Sequence, residues 1–317
     1  MIMTSVVIPS FQGGERLKVL LECLSRQVTD FEWEAIVVLD GSTDDSLDVI
    51  RDWAAIIPVR AVDLGVNQGR PTALNAGFSA ANGRVLIRCD DDLAPRPQYL
   101  SDHTAHHRDT DEVGVIGLYD NIIPQTTYTS AYGAQAHAAF NRSVLATPAQ
   151  YLWRYWAGNC SVTRTMYDRV GPYDTAFRYY GWEDTDWGYR LALAGASICV
   201  DPGLETPHHT PAVTTEIRSR RAFLSGSAAT RFLEKHGPVD DPTSIEVAQW
   251  TVWTTGVRIA SLAPNSIRVA GARFIDRVGH RFPRGITRKL IALSVESSGM
   301  AGRRCGPNPP ASFGKGV

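Results

Sequence analysis

The segment Val85-Leu86-Ile87-Arg88-Cys89 is short and mostly apolar, and it ends abruptly in Asp90, Asp91 and Asp92, with Pro95 close behind. A short apolar run before a breaker reads as a buried strand of a parallel sheet. Adjacent carboxylates repel one another and resist burial unless a cation joins them. In an extended segment Asp90 and Asp92 point to one side and Asp91 to the other. Hard oxygen ligands at a strand's carboxyl end suit Mg²⁺ or Mn²⁺, with a diphosphate supplying further ligands. An isolated Asp-Asp-Asp is more simply a solvated acidic turn, so the rest of the chain must decide.

Strand and helix patterns alternate through the first third of the chain. Ser5 to Ile8 is a strand closed by Pro9, and Phe11 to Gly14 is a loop. Leu17, Leu20, Leu21 and Leu24 fall at helical spacing. Glu34 to Leu39 is a second strand, stopping at Asp40-Gly41. Ser42 or Thr43 can cap the helix that follows. Val59 to Val62 is a third strand, and Asn67 to Pro71 opens a helix stopped near Gly83. This is the pattern of a parallel, helix-covered sheet. Ligands of such sheets bind beyond the carboxyl ends of the strands. Pro9-Ser10-Phe11, Asp40-Gly41 and Asp90 to Asp92 should therefore line one crevice. Neither a Gly-x-Gly-x-x-Gly after the first strand nor a P-loop is present.

Val113 to Leu118 reads as another strand, and 121–147 as a mobile loop or lid. An aromatic stretch, Tyr151 to Trp156, leads into Gly158-Asn159. In Trp182 to Leu191, Glu183, Asp184 and Asp186 crowd the first turn of a helix that Gly195 ends. Satisfying the helix dipole explains all three acids, yet beside Trp182 one of them would sit in a sugar-sized, partly desolvated pocket. Ile198 to Val200 is a final strand, followed by His208 and His209. Beyond 215 helices are expected at Glu216 to Lys235 and after a Thr243/Glu246 capping box. Residues 268–304 hold nine Lys/Arg against Asp276 and Glu296. That is either a solvated helical face, with Arg273, Arg277, Arg281, Arg284 and Arg288 aligned across the interruption of Pro283, or a surface for an anionic membrane or acidic partner.

The chain has 317 residues, 44% hydrophobic and 21% charged, with a net charge of -1. That charge argues against a nucleic-acid binder. Five scattered cysteines without a Cys-x-x-Cys pair suit a reducing compartment and give no zinc site. With neither a signal-peptide pattern nor a membrane-length apolar run, the expected location is cytoplasmic, with membrane association through the basic part as the variant.

Taken in order, these motifs resemble the inverting family 2 glycosyltransferases of the GT-A fold across residues 4–210. The resemblance rests on Val6-Val7-Ile8-Pro9-Ser10-Phe11, the Asp40-Gly41-Ser42-Thr43-Asp44 turn, Asn67 with Gly69, Leu74-Asn75 with Gly77, the three acids, Gly158-Asn159, and Trp182-Glu183-Asp184. Each motif alone is weak; the ordered set is specific. The fold implied is α/β, a Rossmann-like mixed, mainly parallel sheet flanked by helices, with a helical C-terminal extension.

The resemblance implies a nucleoside-diphosphate sugar donor, most often UDP-linked, and a hydroxyl acceptor. Pro9, Ser10, Phe11, Asp40, Asn67, Arg70, Asn75, Asp90 and Asp91 fall on the nucleotide side. Asp92 falls at the second acid of an Asp-x-Asp motif and would hold Mn²⁺ or Mg²⁺. Asp184 falls at the catalytic base, with Glu183 beside it. The Trp182 to Trp187 segment also looks like that of galactosyl- and N-acetylgalactosaminyl-transferases, in which a downstream histidine completes the metal site; His208 is the first candidate and His209 the second. Trp182, Gly158 and Asn159 would face the sugar or acceptor. Many relatives carry Ala-Arg-Asn where this chain has Ala73-Leu74-Asn75, so Arg70 or Arg88 would have to face the phosphates. Residues 1–214 are expected to form the transferase domain, with a nucleotide half at 1–118 and an acceptor half at 119–214. Residues 215–305 would be a helical extension and 306–317 a disordered tail. A sugar-nucleotide-binding protein or a pyrophosphorylase-type nucleotidyltransferase is the alternative.

Overall fold

The computed structural model describes residues 2–209, 211–239 and 251–309. The expected capping box at Thr243 and Glu246, and all of the expected tail beyond residue 309, lie outside the described residues. Two compact units are present. The first comprises residues 1–122, 143–178 and 183–210; the second comprises 123–142, 179–182 and 211–317.

The first unit is built on a seven-stranded sheet. Its strands are β1 (Thr4–Ser10), β2 (Trp33–Leu39), β3 (Val59–Asp63), β4 (Val85–Cys89), β5 (Val113–Asn121), β6 (Asn159–Thr163) and β7 (Ser197–His208). The order across the sheet is β3-β2-β1-β4-β6-β5-β7. The first four strands are parallel, β6 runs against β4 and β5, and β5 is parallel to β7. This is the mixed, mainly parallel sheet that the resemblance implies. All seven residues of β1 and all five of β4 are buried, because helices cover both faces.

Helix α1 (Gly14–Ser25) buries Leu17, Leu20, Leu21 and Leu24 completely against Val6, Ile8, Val37, Leu39 and Ile87. Each such leucine contributes roughly 1.5–3 kcal/mol. A good N-cap is worth about 1 kcal/mol, and Gly13 makes no side-chain cap bond. Packing therefore holds this helix in place. After α2 (Ser46–Trp53), α3 (Arg70–Ala80) begins with Pro71 in its first turn and is preceded by Gly69 at φ +94°. Gly77 lets α3 lie directly on the sheet, since a Cβ there would meet Val7 Cγ1 at 2.4 Å and Val38 Cγ2 at 3.0 Å. The remaining helices of the first unit are α4 (Tyr99–Ala105), α6 (Arg164–Val170) and α7 (Glu183–Leu193).

The expected loop at 121–147 is corrected. It carries a π-helical turn, Thr129–Gly133, and the helix α5 (Ala134–Ala146), which runs from the second unit into the first. Only Val144 of α5 is buried. An alanine-rich helix with no apolar stripe rests on propensity, which a search for periodicity overlooks.

The second unit is helical: α8 (Thr215–His236), α9 (Val252–Ala260), α10 (Asn265–Val278) and α11 (Arg284–Cys305). Thr214 caps α8 by accepting from Ile217 N, and the Asp276 carboxylate of α10 receives the N–H groups of Thr215 and Glu216 at 2.7 and 3.0 Å. Helices α8 and α11 approach closely through Gly226, Gly299 and Gly302; a Cβ on Gly302 would lie 1.9 Å from Phe223 O. The five arginines expected on one helical face are split, because Gly279–Arg281 forms a 3-10 turn and Pro283 starts a new helix. No helix among the described residues is long and apolar enough to cross a membrane.

Gly77→Ala should overpack the junction of α3 with β1 and β2 and cost about 1–3 kcal/mol. Urea denaturation measures this, and an unchanged midpoint would show that α3 can shift outward at no cost.

Candidate active site

The chain leaves β1 for β2 on one side and reaches β4 on the other. The loops after these three strands therefore open at the switch point of the sheet. The three acids after β4 diverge from there, and each finds a different partner.

Asp91 turns toward α1. Arg16 grips it with two bonds, Nε to Oδ1 at 3.0 Å and Nη2 to Oδ2 at 2.9 Å, and Ser10 Oγ donates to Oδ2 at 2.6 Å. Burial raises the Asp91 carboxyl above its usual range, while Arg16 and Ser10 pull it down. Gly13 leaves the room, since a Cβ there would lie 2.1 Å from Ser10 Oγ and 2.5 Å from Asp91 Oδ2.

Asp90 turns toward the strand's own arginine. Arg88 is 1% exposed. Its Nε and Nη2 donate to Asp90 Oδ1 at 3.2 and 3.1 Å, and its Nη1 donates to Asp184 Oδ1 at the start of α7. Burial works against the Arg88 charge, but Asp184 and Asp90 hold it well above its usual value. Gly158 accepts from Asp90 N through its carbonyl at 2.9 Å. A Cβ on Gly158 would fall 2.1 Å from the Asp90 carboxyl carbon.

Asp92 faces the end of β7. Its Oδ2 lies 3.0 Å from His208 Nε2, and His208 Nδ1 lies 2.5 Å from Asn121 Oδ1. Because Asn121 Oδ1 can only accept, Nδ1 carries the proton and Nε2 is turned to Asp92. Of His209, the backbone N–H meets Asp92 O at 2.9 Å. Among the described residues no group of three or more His, Cys, Asp or Glu side chains could hold a metal ion. Asp92 and His208 are a two-ligand set.

Glu183 is 2% exposed and takes Arg70 Nη1 at 3.4 Å on Oε1; its Oε2 is buried without a hydrogen-bond partner. Burial, then the neighbouring Asp184, raises this carboxyl to about 7 against the pull of Arg70 and Arg88.

The side chains expected on the nucleotide and sugar sides also make contacts within the protein. Asp40 is buried, and its two oxygens receive the N–H groups of Gln68 and Gly69 at 2.6 and 2.9 Å, so it holds the turn before α3. Asn67 Nδ2 donates to Asp40 O at 3.3 Å. Asn75 is spent on Tyr173, accepting from its N at 2.7 Å and donating to its O at 2.9 Å. Asn159 is buried inside β6. Its Oδ1 takes Tyr99 Oη at 3.0 Å and faces His103 Nε2 at 3.1 Å, and its Nδ2 donates to Leu204 O at 2.9 Å and Leu118 O at 3.2 Å. Asn159 thus ties β6 to α4, β5 and β7. Pro9 is buried in β1 opposite Val38, whereas Phe11 is exposed on the loop. Trp182, at φ +72°, belongs to the second unit; its indole N–H donates to Ser225 Oγ at 3.1 Å and its ring lies 5.0 Å from Phe232.

Arg16 and Asn121 are residues that sequence reading missed, and Arg88 was noticed only as a stand-in for a phosphate contact. Arg88 did carry a signal, since a cation inside an apolar strand must find carboxylates. Nothing local marks Asn121.

Residues 5–170, more than half of the chain, match the family described as Glycosyl transferase family 2. Residues 140–213 match the N-terminal domain of galactosyltransferase. Validoxylamine A glucosyltransferase of Streptomyces hygroscopicus subsp. jinggangensis (strain 5008) is 27% identical, covering 80% of this chain and 64% of that protein. Hyaluronan synthase of Pasteurella multocida is 23% identical, covering 65% of this chain and 24% of its own length. The chain thus spans less than two thirds of these relatives. A mannosyltransferase from Pyrobaculum calidifontis, solved with GDP-Man and Mn²⁺, superposes at a TM-score of 0.60 with 16% identity, covering 94% of this chain and 86% of that one. S. aureus TarS 1-349 with UDP gives 0.52 at 14% identity, covering 96% of this chain and 91% of that one. The architecture is that of the GT-A glycosyltransferases. The chain belongs to glycosyl transferase family 2, a class of glycosyltransferase enzymes.

The Glu183 carboxyl sits higher in the folded protein than its ordinary 4.5. Its contribution to stability is therefore complete below that value and is lost as pH rises through about 7. Glu183→Gln should gain stability over the natural chain between about pH 5 and pH 8, by on the order of 2 kcal/mol. Denaturation at a series of pH values reads this, and a difference that stays constant with pH would contradict it.

Proposed function

We propose that this protein moves a sugar from a nucleoside-diphosphate sugar, UDP-linked by preference, to an acceptor hydroxyl with inversion at the anomeric carbon. The observation that carries the reading is the Arg88 bridge. It puts an acid of the Asp90 to Asp92 turn and the carboxylate of Asp184 on one guanidinium, at the carboxyl ends of parallel strands. The relatives named as sugar transferases, and the neighbours solved with UDP or GDP-Man, support the donor class.

Asp184 acts as the general base. Its Oδ1 is held by Arg88, which fixes its direction, so Oδ2 is the atom to take the acceptor proton. A carboxylate is a weak base toward an alcohol, so the proton moves late, in concert with formation of the new C–O bond. One base and one displacement invert the centre. Glu183 holds Arg70 beside the acids, where its cation faces the donor phosphates. Asp92 and His208 offer an oxygen and a nitrogen donor with the imidazole tautomer set by Asn121, a pairing that fits Mn²⁺ or Mg²⁺ completed by diphosphate oxygens and water. When bound there, it would supply neutralisation of the charge on the leaving diphosphate.

The reading as a cytoplasmic enzyme draws support from five cysteines that are all free thiols. A pyrophosphorylase would need a free basic residue in the loop after β1. The nearest, Arg16, is committed to Asp91.

Incubation with a panel of UDP-sugars and Mn²⁺ should release UDP, and Asp184→Asn should lower that rate by about 10²–10⁴-fold while UDP binding persists. Wild-type turnover in the variant would remove Asp184 as the base. Asn121→Ala should weaken Mn²⁺ binding about 10-fold, measured by metal titration in the presence of UDP. Unchanged affinity would separate His208 from the metal.

A further inference from the structure

The second unit carries a cavity of about 390 Å³ at the corner between α9 and α10. Phe223, Leu262, Pro264, Arg268, Ala301 and Arg304 are among its lining residues, and no acidic residue is among them. Both arginines are satisfied only by neutral groups. Arg268 Nη1 donates to Ala263 O and Nη2 to Asn265 Oδ1 at 3.4 Å, its guanidinium lies 5.5 Å from the Phe223 ring, and its Nε is buried without a hydrogen-bond partner. Arg304 Nη2 donates to Ser261 Oγ at 2.8 Å. Neither forms an ion pair among the described residues. Burial and then the charge of Arg304 lower the Arg268 pKa from its usual value. Two like charges sharing one concavity are a cost that an anion would relieve, and paired guanidinium forks match phosphate oxygens in geometry as well as charge.

The end of α9, the start of α10 and the lining residue Leu262 between them carry exposed apolar side chains. Leu262 is 71% exposed, Ile259 on the last turn of α9 is 64% exposed, and Ile267 on the first turn of α10 is 60% exposed. Phe274, two turns beyond Ile267 on the same stripe of α10, is exposed as well. Helix α10 thus buries Ala272 and Ile275 inside the unit and presents a second apolar stripe outward. Arg277, Arg281 and Arg284 stand exposed further along. Large aliphatic side chains around a doubly cationic cup suit a ligand whose anionic group continues into hydrocarbon at an interface.

We propose that the α9–α10 corner docks on an anionic bilayer, with Arg268 and Arg304 taking the phosphate of a lipid headgroup and Ile259, Leu262 and Ile267 entering the acyl boundary. The lining residues all belong to the second unit, and the docking is independent of sugar transfer.

The test is co-sedimentation of the full chain with vesicles of phosphatidylcholine alone and of phosphatidylcholine doped with phosphatidylglycerol. Binding should require the anionic lipid. It should fall about tenfold in Arg268→Gln/Arg304→Gln and several-fold in Leu262→Ser. Arg304→Gln alone, which gives up only the bond to Ser261, should fall measurably and guards against a folding defect in the double variant. Circular dichroism and UDP release should be unchanged in Arg304→Gln and Leu262→Ser. Equal binding to neutral vesicles, or binding unaffected by these variants, overturns the proposal. So does thermal protection by inorganic phosphate without vesicle binding, which would make the cup a site for a soluble anion.

Discussion

A single buried guanidinium organises the active-site crevice. Arg88 lies inside a strand whose other residues are apolar, and water cannot reach it to share its charge. Leaving such a cation unpaired costs on the order of 3–5 kcal/mol. The structure meets that demand with Asp90 from the same strand's end and Asp184 from the start of α7. Two segments 94 residues apart in the chain (184 − 90) are thereby drawn to one point by electrostatics that neither could satisfy alone.

The same reasoning explains how three consecutive carboxylates coexist. The chain leaves β4 at Cys89 and turns through Asp91 and Asp92, with Leu93 N–H meeting Asp90 O at 3.2 Å. The acids therefore separate in space, and Asp90 and Asp92 do not share one side as an extended segment would have them. Asp91 goes to Arg16 and Ser10, Asp90 to Arg88, and Asp92 to His208. The glycines beside them are part of the arrangement. Gly13 makes space for Ser10 and Asp91, and Gly158 makes space for Asp90, because a methyl group at either position would occupy carboxylate oxygens. Small residues near a charged cluster here record the volume of their neighbours; backbone flexibility is a separate matter.

Polar residues in family-like positions also tie the scaffold together. Asp40 ties the 67–69 turn, Asn75 ties the backbone of Tyr173, and Asn159 joins β6 to Tyr99, His103 and the β7 backbone. His103 and His107 are held neutral by burial, with values lowered to about 3 and about 4, and both meet Ser161 Oγ. A polar side chain under a site is often there because a buried backbone or ring needs a partner.

Local pattern already settles much of this protein. The alternation of strand and helix, the leucine face of α1, the breaks at Gly83 and Gly195, and the placing of acids at strand ends follow from spacing and backbone preference, which act over a few residues. The helix α5 escaped that reading because propensity without a stripe leaves no period. Partner choice was decided only in three dimensions. Arg88 selecting Asp184, Asn121 fixing the tautomer of His208, and Arg268 meeting Arg304 across a cavity all join residues that the chain keeps far apart. Burial then makes each pairing obligatory, because low-dielectric surroundings enlarge the cost of a wrong partner.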